Sequence, residues 1–350
     1  MSTDLDVGLI GYGLAGAAFH APLISVTPGL RLAAIVTSDP ERRVRAARSH
    51  PDAVVLDDAE HVWERADDLD LVVIAAANRV HAPLASAALH AGLAAVVDKP
   101  LAPTAAQARA LVDLAARRGR LLTVFHNRRW DGDFLTVEDL VGAGELGRVH
   151  RFESRFERWR PQLKPGWRES AAPEDAGGIL YDLGTHLIDQ ALCLFGPVRG
   201  VYAEVDGRRR GAEVDDDAFV ALTHDGGVRS HLWVSALAAQ LGPRMRVLGD
   251  EGAYVKHGLD VQEDLLREGR LPSEPGWGRE PRHAWGLLGS GGGVEPVETR
   301  AGSWPAFYTA LVDALRGDRP APVDPADAVA GLEIIEAARR AAVSGAVVER

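Results

Sequence analysis

Residues 5–16 run from an apolar strand into Gly11-x-Gly13-x-x-Gly16, and a helical stretch from Leu14 to Ile24 follows. Few folds accept that order. Gly11 permits a tight turn, Gly13 lets a pyrophosphate approach the backbone, and Gly16 lets the helix pack closely on the strand. The helix start adds amide donors and a positive potential. In a chain with 37 glycines the spacing alone would say little, and its place between strand and helix gives it meaning. Tyr12, Leu14 and Ala15 belong to the same loop and are expected beside the dinucleotide with the three glycines.

The alternation continues. Apolar runs at residues 7–10, 32–36, 54–56, 71–76, 94–97 and 121–125 are separated by Ala- and Arg-rich helical stretches. Near-continuous apolar strands between helices imply a parallel sheet covered on both faces, the doubly wound α/β (Rossmann) class. Beyond residue 148 the runs lengthen and alternate, at 149–159, 198–205, 218–223 and 228–235, with glycine turns such as Asp225-Gly226-Gly227. This pattern predicts an α+β domain with an open, mainly antiparallel or mixed sheet and a helix laid on one face. Residues 268–299, rich in glycine, proline and charge, read as surface loops. The expected domains are therefore 1–125 and 126–324, with a last helix at about 325–345 as a candidate to return to the first.

About 20 residues beyond a dinucleotide loop the second strand ends at the adenosine ribose. Here that strand runs out through Thr37 and Ser38, with Asp39 next and Arg42 and Arg43 just after. Thr37, Ser38, Arg42 and Arg43 suit a 2′-phosphate and favour NADP. A strand one residue longer would put Asp39 on the ribose hydroxyls and favour NAD. The arginines also have a plain reading as the solvated face of a helix.

Bulk properties narrow the partners. With 39 Lys plus Arg against 50 Asp plus Glu, the net charge is −11, so no global basic field attracts nucleic acid. No apolar run approaches a membrane span and the acidic N-terminal stretch lacks a signal-peptide layout, so a cytoplasmic protein is expected. The single cysteine, Cys193, cannot form an intrachain disulfide, and its apolar neighbours suggest a small buried thiol. No metal is expected: HExxH is absent and the 12 histidines are scattered.

A second chemical feature is the stretch from Gly177 to Asp189. On an α-helix Asp182, His186 and Asp189 are i, i+4 and i+7 and share a face. The rest of that helix is almost wholly apolar, which predicts burial, so the polar stripe needs partners or a cleft onto which it opens. A third feature is Asp98-Lys99-Pro100 at the end of the fifth strand, where open α/β sheets gather functional groups. After the sixth strand, Asn127, Arg128 and Trp130 offer the hydrogen bonds and aromatic face that read a polyol, and Arg158 and Trp159 are placed near the same substrate. One of the arginines in that stretch has the plain reading of a salt bridge.

Together these motifs resemble the glucose–fructose oxidoreductase/inositol dehydrogenase/rhizopine catabolism family over nearly the whole chain. Its Glu-Lys-Pro stands here as Asp98-Lys99-Pro100, and its Gly-Gly-x-x-x-Asp-x-Gly-x-His as Gly177 to His186. The resemblance is closer to the NADP-dependent scyllo-inositol dehydrogenase branch, through Gly11-Tyr12-Gly13-Leu14, Phe19-His20-Ala21-Pro22-Leu23, residues 126–131 and residues 181–186. After the fourth strand the family often has Thr-Pro before a polar residue, whereas Ala76-Ala77 precede Asn78 here. Ala76, Asn78 and His81 are expected on the nicotinamide side, with a helix-start or core role as the plain reading of His81.

The resemblance implies that Lys99, Asp182 and His186 form the reactive group, and the chemistry agrees. Oxidising a secondary alcohol needs a base and a charge stabiliser on one oxygen. His186, ordinarily near ~6.5, suits the proton acceptor; Lys99 suits the stabiliser, and Asp182 a neighbouring hydroxyl or the imidazole. The reverse assignment, with Lys99 as base, stays open. The implied activity is NADP-dependent interconversion of alcohol and ketone on a cyclic polyol or sugar, with scyllo-inositol and its inosose as the specific pair. Competing readings are another sugar dehydrogenase, a glycosidase using a held nicotinamide, and a nucleotide-sensing regulator. An open sheet with a face to bury, together with the resemblance, implies a homodimer or homotetramer.

Overall fold

The computed structural model describes residues 4–164 and 166–350. Contacts divide the chain into two units. The first takes the chain up to Asn127 together with Gln262–Trp277 and Ser303–Val329; the second takes Arg128–Val261, Gly278–Gly302 and Ala330–Arg350.

In the first unit, six strands, β1 (Leu5–Ile10), β2 (Leu30–Val36), β3 (Val54–Leu56), β4 (Leu71–Ile74), β5 (Ala94–Asp98) and β6 (Leu122–Phe125), form one sheet. Every pairing is parallel and the order is β3-β2-β1-β4-β5-β6. The order reverses between β1 and β4, the switch point at which such sheets bind ligands beyond their strand ends. The apolar runs are strands because both faces are covered: β4 and β6 are buried throughout. The covering helices include α1 (Ala21–Val26), α2 (Pro40–Ser49), α3 (Glu60–Trp63), α4 (Asn78–His90) and α5 (Ala105–Arg118). Asp39 caps α2 and Thr104 caps α5.

The helix expected over 14–24 is not uniform. Ala15–His20 is a π-helical turn, closed by Ala21 N donating to Gly16 O, and α1 follows. Pro22 has no N–H with which to continue an ordinary ladder, and the wide turn lies directly before it.

The second stretch of the chain was expected to be one block, yet 262–277 and 303–329 join the first unit. Aromatic packing explains the return of the helix Pro305–Leu315. Phe307 and Tyr308 are fully buried against Phe125, with ring centroids 5.0 and 5.9 Å away, and Trp304 meets Phe19 at 5.6 Å. Gln262 Oε1 accepts from Trp304 N (2.6 Å) and Trp277 Nε1 (3.1 Å), joining the two segments.

The second unit is built on a nine-stranded sheet. Its strands are β7 (Val149–Glu157), β8 (Val198–Asp206), β9 (Asp217–His224), β10 (Arg229–Ser235), β11 (Met245–Gly249), β12 (Ala253–Lys256), β13 (Gly286–Ser290), β14 (Gly293–Val297) and β15 (Val348–Glu349). The order is β14-β13-β12-β11-β7-β10-β9-β8-β15, antiparallel except for β7 beside β10. Burial alternates along β9, with Ala218, Val220, Leu222 and His224 inward. The helices α6 (Gly132–Gly142) and α7 (Thr185–Phe195) lie in this unit, and α7 packs on β7 and β10.

Two expectations are corrected here. Residues 268–299 are not all loop, for β13 and β14 form a hairpin at the sheet edge. Edge strands are half exposed, so they lack the apolar run that marked the central ones. The last helix, Pro325–Ser344, does not return whole: 325–329 belong with the first unit and the remainder with the second, where Arg339 donates to Asp215 at 2.8 Å.

Candidate active site

The glycine loop leaves β1 as the fingerprint requires. Gly11 has φ of 100°, and a Cβ there would fall 2.4 Å from Ala75 O; one on Gly16 would fall 1.9 Å from Gly11 O. Neither position admits a side chain. Gly13 has open space instead, with only Arg42 Nη1 near, 3.7 Å from where its Cβ would stand. Leu14 is half exposed at the loop surface, and Ala15 opens the π turn. Tyr12 turns inward and supports the loop from below: its ring meets His50 edge-on at 5.9 Å, and Arg45 lies over it at 5.6 Å.

At the ribose end β2 stops at Val36, so the longer strand that would present Asp39 does not form. Asp39 Oδ1 instead accepts from Glu41 N (2.9 Å) and Arg42 N (3.0 Å), bonds that hold its carboxyl below the usual range. Thr37 is buried with its N–H on Leu56 O, and Ser38 is exposed. The two arginines differ in placement. Arg42 faces the glycine loop with its Nε 3.5 Å from Asp39 Oδ2, whereas Arg43 lies 3.7 Å from Asp57. Arg45 was missed by sequence reasoning, although i, i+3 spacing from Arg42 puts both on one side of α2; its Nη2 reaches Tyr12 O at 3.5 Å.

Lys99 stands where β5 ends, followed by a cis Lys99–Pro100 bond. Asp98 Oδ1 accepts from Lys99 N at 2.9 Å, and Oδ2 lies 3.9 Å from His20 Nε2. Burial opposes the charge on Asp98, yet His20, Lys99 and His81 outweigh it and hold the carboxyl below its ordinary range. His81, expected on the nicotinamide side with a core role as its plain reading, is buried. Its Nδ1 donates to Pro100 O (2.7 Å) and its Nε2 lies 3.2 Å from Ala76 O, so it ties the loop after β4 to the Lys99 turn. Burial pushes its pKa down despite those carbonyls. Asn78 is buried at the first turn of α4.

In the second unit, Gly178 has φ of 98°, and a Cβ there would meet Asp215 Oδ1 at 2.3 Å. Gly178 makes room for this carboxylate, which accepts from Leu180 N at 2.7 Å, while a Cβ on Gly177 would fall 2.4 Å from Ser170 O. From there the chain does not run as one α-helix: Leu180–Gly184 is a π turn and α7 begins at Thr185. The predicted stripe divides accordingly. Asp182 is partly exposed, 3.4 Å from Arg168 Nε, in an open pocket lined also by Arg158, Ile179, Leu183 and Arg209. His186 is buried near the start of α7. Asp189 is withdrawn from the stripe by a two-pronged bond from Arg129, at 2.8 and 2.6 Å.

Two family models match. The description "NAD-binding Rossmann fold" of an oxidoreductase family covers residues 5–126, and "C-terminal alpha/beta domain" of the same family covers residues 138–349. The chain belongs to the glucose–fructose oxidoreductase/inositol dehydrogenase/rhizopine catabolism family. This oxidoreductase is 46% identical over 341 residues, 96% of each chain, to the uncharacterised oxidoreductase YdgJ of Escherichia coli. It is 34% identical over 338 residues to scyllo-inositol 2-dehydrogenase (NADP(+)) IolW of Bacillus subtilis, covering 95% of this chain and 92% of that one. The solved structure of yvaA from Bacillus subtilis superposes with a TM-score of 0.94 at 32% identity, covering 100% and 99% of the two chains. Among the described residues no helix is long and apolar enough to cross a membrane.

Other expected substrate contacts of this family member fare unequally. Arg128 is a buried structural group, donating to Asp131 Oδ2 at 3.0 Å and stacked on Phe156 at 4.6 Å. Arg158 stacks on Phe156 at 4.8 Å and lines the Asp182 pocket, while Trp159, 57% exposed, does not. Asn127 is buried and Trp130 half-buried in the turn after β6. Cys193 is exposed rather than buried, because the last turn of α7 carries only half-buried side chains at Leu192, Leu194 and Phe195. Arg168, stacked on Trp167 at 4.2 Å, and Arg209, held by Glu169 and Asp216, were missed. Arg168 lies in a single 3₁₀ turn and Arg209 in a loop, too short for periodicity to mark a side chain as inward.

Proposed function

We propose that this enzyme is an NADP-dependent oxidoreductase interconverting a secondary alcohol and a ketone on a cyclic polyol or sugar, with scyllo-inositol and its inosose as the specific pair. The observation that carries the cofactor choice is the ribose end of β2, where Asp39 is committed to capping α2 while Arg42 overlooks Gly13. A guanidinium there suits a 2′-phosphate. The substrate choice is supported by the 34% identical relative named as an NADP-dependent scyllo-inositol 2-dehydrogenase.

In this reading the glycine loop, Ala15, Thr37, Ser38 and Arg42 hold the dinucleotide, and the bound nicotinamide supplies the hydride acceptor. His186 takes the hydroxyl proton as general base. Lys99, as ammonium, stabilises the developing alkoxide, and in the reverse direction gives a hydrogen bond to the carbonyl oxygen. Asp182 and Arg168, an acceptor and a donor side by side, bind a neighbouring hydroxyl pair. Arg158, Asn127 and Trp130 complete the set that reads the ring.

The same reading includes a homodimer or homotetramer. Strands β9 and β10 carry half-exposed Phe219, His231 and Trp233 on one face, with Phe219 and Trp233 5.0 Å apart. Such a face gains by burial against a second copy, which sedimentation would reveal as a mass above that of one chain.

Absorbance at the reduced-nicotinamide band, with NADP or NAD and a panel of inositols, pentoses and hexoses, tests the activity. Turnover with scyllo-inositol and NADP is the expected result. Turnover with NAD alone would overturn the Arg42 assignment. Silence across the panel with cofactor still bound would overturn the dehydrogenase reading in favour of a hydrolase or a regulator.

A further inference from the structure

We infer that His20 and Tyr308 are positioning residues for the reaction, acting through Asp98 on the Lys99 turn. The inference rests on the proposed role of Lys99 and concerns only the first unit, in which all four residues lie.

His20 is the last residue of the π turn and is 0% exposed. A histidine so buried needs defined surroundings for both ring nitrogens. Nδ1 lies 2.6 Å from the hydroxyl of Tyr308, also 0% exposed, and Nε2 lies 3.9 Å from Asp98 Oδ2. These contacts select one arrangement of protons. If Tyr308 O–H donates to Nδ1, the imidazole proton sits on Nε2 and faces the carboxylate. The opposite tautomer would aim a bare nitrogen lone pair at Asp98, which is repulsive.

Tyr308 can keep that donor role over the whole working pH range. Burial, then the nearby Asp98 charge, pushes its phenol well above the ordinary value, so it stays protonated. The ring of His20 is fixed by Phe125, whose centroid is 4.4 Å away, and Phe125 packs in turn on Phe307.

Asp98 is thus held from several sides. His20 faces it from the π turn and Tyr308 lies behind His20 on the helix Pro305–Leu315. His81 of α4 and the adjoining Lys99 supply the other charged or titratable neighbours. The carboxylate's second oxygen accepts from Lys99 N. His20 Nε2 faces one oxygen at 3.9 Å, a charge contact longer than a hydrogen bond, the other oxygen fixes the peptide from which the Lys99 side chain springs, and His81 fixes Pro100 O just beyond. Loss of the Tyr308 hydroxyl frees the imidazole to change tautomer and loosens the carboxylate, displacing the ammonium group without touching the glycine loop.

The test is steady-state kinetics, with direct measurement of NADP affinity, on four single variants and one double variant of the full chain. Tyr308→Phe, His20→Asn and Asp98→Asn are each expected to lower kcat by about tenfold, the scale of one lost buried hydrogen bond or a small misplacement. Affinity for NADP should stay within about a factor of two, as none of these substitutions alters the backbone of the glycine loop, from which the His20 side chain turns away towards Tyr308 and Asp98. His20→Gln, whose amide can reach the Nε2 position, should recover most of the kcat lost in His20→Asn. The pH profile of kcat should shift in Tyr308→Phe, and His20→Asn combined with Asp98→Asn should lose no more than Asp98→Asn alone.

A purely structural role would lower the melting temperature of both His20 variants alike and give additive losses in the double variant; either result would overturn the inference. Unchanged kcat in Tyr308→Phe and His20→Asn would also overturn it, leaving the activity itself intact. If instead the wild-type enzyme were inactive on every polyol, the role of Lys99 would be what failed.

Discussion

The Lys99 turn of the first unit and the α7 region of the second are secured by different means. Lys99 sits among two buried histidines, a tyrosine and one carboxylate, contacts made largely to backbone carbonyls and to one another. The α7 region rests on ion pairs. Arg129 holds Asp189 at 2.6 Å, Arg244 holds Asp133 at 3.1 Å, and Arg128 holds Asp131 at 3.0 Å. Gln190 links these pairs, donating to Arg128 O and accepting from Arg244 Nη2. Buried ion pairs are rigid but fail badly when one partner goes, because the other is left charged in a poor solvent. Histidine contacts are individually modest and titrate near neutrality. The first unit should therefore answer to pH, and the second to the loss of a partner.

The sharpest break comes from Arg244→Met, which leaves the fully buried Asp133 carboxylate without its cation. Urea unfolding should show a loss of about 3–5 kcal/mol. A loss under about 1 kcal/mol would mean the network is not the support described here.

Next in size is Arg42→Ala in the first unit. Removing one charge-assisted bond of about 1.5–3 kcal/mol should weaken NADP binding by roughly 10- to 150-fold and leave NAD binding unchanged. Equal effects on both cofactors would move the phosphate contact elsewhere.

Acidification separates the two regions more gently. The pKa of His81 is lowered in the folded state, by burial first, so below the unfolded value near ~6.5 the unfolded chain binds a proton that the folded chain resists. Stability is complete above that pH and falls as the pH drops towards the depressed folded value. His224, whose pKa burial lowers against the opposing bond to Gly196 O, adds the same sign in the second unit. The melting temperature should decline from pH 7 to pH 5, and His81→Asn should flatten part of that slope. A parallel decline in the variant would remove His81 from the account.

The smallest effect on stability belongs to Arg168→Ala. Its contact with Asp182 joins side chains 53% and 25% exposed, and exposed pairs contribute about 0–1 kcal/mol. Folding should be untouched while KM for the polyol rises several-fold; an unchanged KM would take Arg168 out of the substrate site.

What the sequence made legible follows from burial. The six parallel strands announced themselves because both faces are covered, and the glycine loop because Gly11 and Gly16 leave no space for a side chain. The β13–β14 hairpin stayed hidden because half-exposed edge strands carry no apolar run. Both π turns hid inside helix-like patterns. Pairs joined across the chain were illegible for another reason, as Asp215 and Arg339 stand 124 positions apart and His20 and Tyr308 stand 288 apart. Sequence spacing predicts neighbours within one element and is silent about such pairs. Nor did it separate Arg128 and Arg129, of which the first pairs with Asp131 and the second with Asp189, because a side chain beside a strand end looks the same whether it faces solvent or an aspartate.

The most direct test of the reactive group is a paired measurement on Lys99→Met and His186→Asn: hydride transfer from scyllo-inositol in a single turnover, and affinity for NADP. The account predicts that transfer falls by about 100-fold or more in each variant while NADP binds nearly as in the wild type. Near-wild-type transfer in both variants would contradict it.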